Sequence, residues 1–284
     1  MKKPYTILLP VDYSAQSEHA CRFALHLCKD LPAELQILHV YKEPIPDASN
    51  PGLYAVDLSK LYQLEKTRLE QYVYELLDKF GFNIQDLRIK LEVLEGDIAF
   101  QITQFAHQNQ CNIILAGTHN KQELREYIWG THTLEIVRNS EITVLAIPEG
   151  SVYRTWRKML YASNLRHLEF PVIELLVQIC KRTDAVLEIM HIETEEDDKW
   201  EKLAEFETFR DNIMKAIGYD KLRLNTMHDQ VFVSESLIEY ANENGFDVIA
   251  VSPSRPSITE IIFGKHISKE LLYHSQLPIL CVRH

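Results

Sequence analysis

The chain has 284 residues, 46% of them hydrophobic and 25% charged, with a formal net charge of -11. That balance is ordinary for a folded globular protein and argues against disorder. The acidic excess disfavours nucleic acid as a partner, because its phosphates call for clustered Lys and Arg. No apolar run approaches the ~18 residues of a membrane span, and Met1, Lys2 and Lys3 lead into a strand pattern rather than a signal sequence. The five Cys are scattered and odd in number, without CxxC spacing. Neither a disulfide framework nor a zinc ribbon is expected, and a reducing, cytoplasmic setting is.

Residues 5–11 form a short continuous apolar run, the pattern of a parallel strand buried on both faces. Ser14 and Ser17 stand where a helix is capped, and Ala20, Phe23, Ala24, Leu27 and Cys28 recur at helical spacing. A strand over 35–41 follows, then a Pro-rich stretch over 42–60 that reads as a loop or as a lid over the strand ends. A helix is predicted over 61–80, with Leu61, Leu64, Leu69, Val73 and Leu76 on one face. A strand over 87–94, a helix over 98–108 and a buried strand over 112–116 come next. A helix over about 131–139 and a strand over 142–147 close the series. Strands and helices alternating at these lengths predict an α/β parallel sheet with right-handed crossovers.

The same order then returns. Strands are predicted over 158–162, 186–192, 222–227, 247–251 and 278–282, with helices over 170–181, 200–217, 234–244 and 267–273. Leu35-Gln36-Ile37-Leu38-His39-Val40 reappears as Leu187-Glu188-Ile189-Met190-His191-Ile192 at an offset of 152, and residues 140–145 reappear as 275–280 at an offset of 135. The difference of 17 residues is a segment present only in the first copy, within the Pro-rich stretch from Lys42 to about Lys60. A repeat this long is a duplicated domain, because a solenoid unit has a period of roughly 20–50 residues. The expected organisation is two tandem copies of an open, doubly wound, nucleotide-binding-like domain, 1–148 and 152–284. Pro148-Glu149-Gly150-Ser151 is a short hinge between them.

In an open parallel sheet, ligands settle at the carboxyl ends of the strands where the strand order reverses. Asp12, Tyr13 and Ser14 follow the first strand, and His39-Val40 end the second. The fourth runs into Gly117-Thr118-His119-Asn120, and Gly130-Thr131-His132-Thr133 then open a helix. Glycines let backbone amides approach a phosphate, and a helix N-terminus adds oriented N–H groups. Each position has a second reading: Asp12 as a cap of the following turn, Gly117 and Gly130 as tight-turn residues. His39 and His191 recur inside apolar strands, which favours hydrogen-bonded core residues over metal ligands, and no zinc-binding spacing is present. The acidic residues 193–198 read as a solvated loop and helix start. No Walker lysine or positioned general base is visible, so no enzyme is expected.

In this order, Val11-Asp12-Tyr13-Ser14, the His39-Val40 strand end and the glycine pattern from Gly117 to Gly130 resemble the universal stress protein family in its tandem form, over nearly the whole chain. The resemblance implies that Asp12 and the backbone around Val40 hold the adenine or ribose of ATP or another adenine nucleotide. Gly117, His119, Asn120, Gly130, Thr131 and His132 would surround the triphosphate with its Mg2+. Asn120 stands where the pattern has its second glycine, and Asn tolerates the left-handed conformation better than most residues. In the second copy Asn164 replaces Asp12, Val231 replaces Gly96, Ser252 replaces Gly117 and Arg255 replaces Asn120, while Lys265 falls opposite Gly130, or Gly264 does if two compensating one-residue shifts are made. The second cradle is therefore broken, and that copy is expected to be a structural partner. The resemblance further implies a stress-response protein with a regulatory nucleotide, protein partners, an intrachain pseudo-dimer paired through the last strand of each copy, and chain–chain dimerisation. The alternative is a nucleotide-independent interaction module with both sites vestigial.

Overall fold

The computed structural model of the chain describes residues 4–42, 58–117, 135–136, 140–163, 169–193, 199–228, 233–252 and 277–283. The first half runs β1 (Tyr5–Val11), α1 (Ala15–Asp30), β2 (Ala33–Tyr41), α2 (Leu58–Phe80), β3 (Arg88–Glu95), α3 (Ile98–Gln108), β4 (Ile113–Gly117) and β5 (Thr143–Ile147). The second runs β6 (Lys158–Ser163), α4 (Phe170–Thr183), β7 (Val186–Glu193), α5 (Lys199–Ala216), β8 (Leu222–His228), α6 (Val233–Glu243), β9 (Val248–Val251) and β10 (Ile279–Cys281). The chain divides into two compact units, one holding β1–β4 and the other β5–β10.

In the first unit β1 lies parallel to both β2 and β4, and β2 to β3, in the order β3-β2-β1-β4. Ile7, Leu8, Leu9, Ile37, Leu38, Ile114 and Leu115 are fully buried in these strands, as the continuous apolar runs require of a sheet covered on both faces. Helix α1 packs on β1, β2 and β4 through Phe23, Ala24 and Leu27. Its start is set by Ser14, whose side chain accepts from the Ser17 backbone N–H at 3.2 Å, a cap worth about 1 kcal/mol. Helix α3 starts in the same way, with Asp97 accepting from the Phe100 N–H at 3.1 Å.

Helix α2 turns its predicted face inward except at Leu64. Leu64 is 63% exposed, whereas Leu69, Val73, Leu76 and Leu77 are buried. Carried back one turn from Leu69, that stripe reaches Glu65 rather than Leu64, because positions four apart share a helical face. A carboxylate is thereby turned toward the strand ends, with its side chain 14% exposed.

In the second unit β6 lies parallel to β7 and β9, β7 to β8, and β9 to β10. The order β8-β7-β6-β9 repeats that of β3-β2-β1-β4. The same side-chain tie fastens the fourth strand to the first in each. Asn112 accepts from the Thr6 N–H at 2.8 Å, and Asp247, its counterpart, accepts from the N–H groups of Arg157 and Lys158 at 2.6 and 2.9 Å. Helix α4 stops where Asp184 turns left-handed at φ 57. Strand β5, last of the first copy in sequence, runs antiparallel to β10, last of the second. By packing, β5 therefore belongs with the second unit, and each of these apolar strands covers an edge that would otherwise invite association. The predicted helix over 267–273, the 43–57 part of the Pro-rich stretch and most of the helix over 131–139 lie outside the described residues.

Candidate functional site

The strand register assembles the site. Val11 pairs with His39 on one side of β1, and continuing the β1–β4 register sets Val11 level with Gly117 on the other. Asp12 is one residue further on, level with Val40. The strand order reverses about β1, so Asp12, Val40 and Gly117 meet at the crevice where open α/β sheets take ligands.

Asp12 is exposed, and its Oδ1 accepts from the Ser14 N–H at 3.0 Å. Burial works to raise its pKa, but hydrogen bonds from Ser14 and Ser17 outweigh it and hold the carboxyl below its ordinary value. Asp12 thus shapes the turn while Ser14 caps the helix. Val40 is buried, leaving its backbone as the group it offers a ligand. At Gly117 a Cβ would stand 3.0 Å from the Gln16 carbonyl oxygen and 3.6 Å from the Ala20 Cβ. This glycine is required by the close approach of β4 to the first turn of α1, whatever else it does. His119, Asn120, Gly130, Thr131 and His132 lie outside the described residues, as do Asn164, Val231, Arg255 and Lys265.

Both strand histidines are core residues held by hydrogen bonds, as expected. His39 Nδ1 donates to the Val11 carbonyl at 2.8 Å, and His191 Nδ1 to the Ser163 carbonyl at 3.1 Å. Among the described residues no group of three or more His, Cys, Asp or Glu converges as a metal site.

Tyr13 and three residues absent from the sequence-based site, Glu65, Arg68 and Tyr72, crowd the first crevice. Tyr13, at φ 64, places its ring 4.4 Å from His39 and edge-on to Tyr72 at 5.1 Å. The Arg68 guanidinium lies 4.2 Å from its centroid. Glu65 Oε2 stands 3.7 Å from His39 Nε2 and 3.8 Å from Arg68. Burial, reinforced by the Glu65 charge, pushes the Tyr13 hydroxyl up to about 12. The available signal was the phase of the α2 stripe, which assigns position 65 to the inner face.

The second crevice is built differently. Ser163, Glu169 and His191 are all buried there, with Tyr161 beneath them. Ser163 Oγ donates to Glu169 Oε2 at 2.5 Å. In the first copy the counterparts of Tyr161, Ser163 and Glu169 are Leu9, Val11 and Ser17. Burial, with the charge of Glu169 adding to it, drives the Tyr161 pKa up strongly. A buried carboxylate repels phosphate, and with Ser252 in place of Gly117 it makes this crevice a poor anion site. Glu169→Ala removes the acceptor of a buried hydroxyl and should cost about 1–3 kcal/mol. A urea midpoint equal to that of the wild type would show that the pair contributes nothing.

The model of the universal stress protein family matches residues 5–148, half of the chain. The chain belongs to the universal stress protein family. Among curated relatives, a universal stress protein of Methanocaldococcus jannaschii is 25% identical over 142 residues, covering 50% of this chain and 80% of that protein. The universal stress protein YxiE of Bacillus subtilis is 24% identical over 144 residues, covering 50% of this chain and 97% of that one. The crystal structure of a universal stress protein from Archaeoglobus fulgidus is alike in fold, with a TM-score of 0.71 and 98% of each chain covered, at 15% identity. The curated matches each span about half of this universal stress protein, whereas the structural likeness spans nearly all of it.

Proposed function

We propose that this universal stress protein binds ATP or another adenine nucleotide in the first crevice as a regulatory ligand, and that it acts in the cytoplasm by changing its contacts with other proteins. The observation that carries this reading is the Asp12 carboxylate, its pKa lowered, at the reversal point of the sheet between Val40 and Gly117. A carboxylate there accepts hydrogen bonds from ribose hydroxyls or a base amino group, and the backbone at Val40 offers a neighbouring edge. His119, Asn120, Gly130, Thr131 and His132 are assigned to the phosphates by the family resemblance alone. Mg2+ would arrive on the phosphate oxygens of the nucleotide. The sequence carries no Walker lysine, and the nucleotide is read here as an effector rather than a substrate.

Calorimetric titration with Mg-ATP tests this reading. Saturation near one site per chain is expected, and Asp12→Ala should weaken it about ten- to hundredfold, the worth of one or two charge-assisted hydrogen bonds. Affinity undiminished in the variant would remove the basis for the site. Two sites per chain would show the second crevice to be functional.

A further inference from the structure

The first crevice concentrates three unfavourable features. Tyr13 holds a left-handed backbone, φ 64, that a residue with a side chain adopts at a cost. Its hydroxyl is buried without a hydrogen-bond partner among the described residues. Glu65 Oε2 is likewise buried without one among them, since His39 Nε2 at 3.7 Å and Arg68 at 3.8 Å are too distant for hydrogen bonds. Strain and orphaned polar atoms gathered at one ligand edge mark an arrangement that a ligand can relieve. What holds the arrangement is the packing of the ring against His39 and Tyr72 and the Arg68 cation at its face. The counterpart of Tyr13 in the second copy is Leu165, which has neither an aromatic ring nor a hydroxyl, so the device belongs to the first copy alone.

We propose that Tyr13 is the built-in occupant of the base site, and that a nucleoside binds by displacing its ring and stacking on His39 while an amino or hydroxyl donor reaches Glu65 Oε2. This deepens the nucleotide reading and rests on it. A planar heterocycle bearing hydrogen-bond donors matches both halves of the opened site: an aromatic neighbour and an acceptor in need of a donor. Closure by Tyr13 lowers the fraction of binding-competent protein, and the apparent affinity falls by that fraction. Ligand affinity is then set by Arg68 and Tyr72, which touch the ring, as well as by groups that touch the nucleotide.

Two variants release the ring without disturbing the core. Tyr13→Gly suits the positive φ, and Arg68→Ala removes a side chain that is 58% exposed. Titrations with adenosine and with Mg-ATP are compared across the two variants and the wild type. Tyr13→Gly is expected to tighten adenosine binding at least tenfold, and Arg68→Ala to tighten it severalfold. Binding by Tyr13→Gly where the wild type shows none carries the same meaning. If the wild type binds and a folded Tyr13→Gly binds no better, the ring is not in the way; the proposal then falls and the nucleotide reading stands. If none of the three proteins binds either probe at millimolar concentration, the nucleotide reading fails and takes this proposal with it.

Discussion

Gly117→Val is expected to destabilise the first unit by more than the about 1–3 kcal/mol usual for overpacking. The obstacle is not a side chain that can swing aside. A Cβ at this position would lie 3.0 Å from the Gln16 carbonyl oxygen and 3.4 Å from its carbon, both backbone atoms in the first turn of α1. That turn is pinned by Ser14, which accepts the Ser17 N–H through its side chain and the Glu18 N–H through its carbonyl. Relief would require the backbone of β4, with its buried Ile113, Ile114 and Leu115, and that of the α1 turn to shift apart. Gly81 provides a control: nothing lies within 4 Å of its Cβ position, and only its φ of +71 is at issue. Gly81→Ala should therefore cost about 1–2 kcal/mol, the penalty of a left-handed backbone. In urea unfolding the midpoint of Gly117→Val should fall well below that of Gly81→Ala. Equal midpoints would show that β4 and α1 yield freely.

The second large effect is alkaline loss of stability. All five cysteines are free and buried. Burial pushes the thiols of Cys21, Cys28, Cys180 and Cys281 up to about 12 and that of Cys111 up to about 11. An unfolded chain releases those protons near the ordinary thiol pKa of about 8.5, whereas the folded chain keeps them. The stabilising contribution is therefore complete below about pH 8.5 and declines as pH rises toward the folded values. Tyr13 and Tyr72, both raised to about 12 chiefly by burial, extend the decline above the ordinary tyrosine range. The urea midpoint should be clearly lower at pH 10.5 than at pH 8. At pH 8 a thiol reagent should modify the native protein only as fast as it unfolds. One cysteine that reacts at the rate of a free thiol would contradict the packing described for it, and would reopen a redox role.

The sequence revealed the elements better than the positions of individual side chains. Strand 5–11 and helix 98–108 coincide residue for residue with β1 and α3, because a continuous apolar run and an Asp97-capped periodic segment are local signals. The pairing of β5 with β10 is not local: two apolar end strands can be recognised, but only the resemblance suggested that they meet. On α2 the predicted Leu69, Val73 and Leu76 are buried, and Leu64 alone departs from the expected face. Counting apolar residues favoured Leu64, whereas the true stripe, fixed by Leu69, Val73 and Leu76, continues into an acidic residue. That one-position error hid Glu65, and with it the reason for Arg68 and Tyr72 to matter. Tyr13 was hidden differently, since a left-handed backbone at a residue with a large side chain has no sequence signature. Asp12 and Gly117 were legible as a pair. Their structural duties, a turn for one and a close helix approach for the other, appear only with the geometry.

We propose that the first copy, and not the second, holds the nucleotide. Photolabelling of the full chain with 8-azido-ATP, followed by peptide mapping, tests it most directly. Label, competed away by unmodified ATP, is expected on peptides carrying Asp12, Val40 or Gly117. Competed label confined to peptides from 158–282, or no competed label at all, would contradict it.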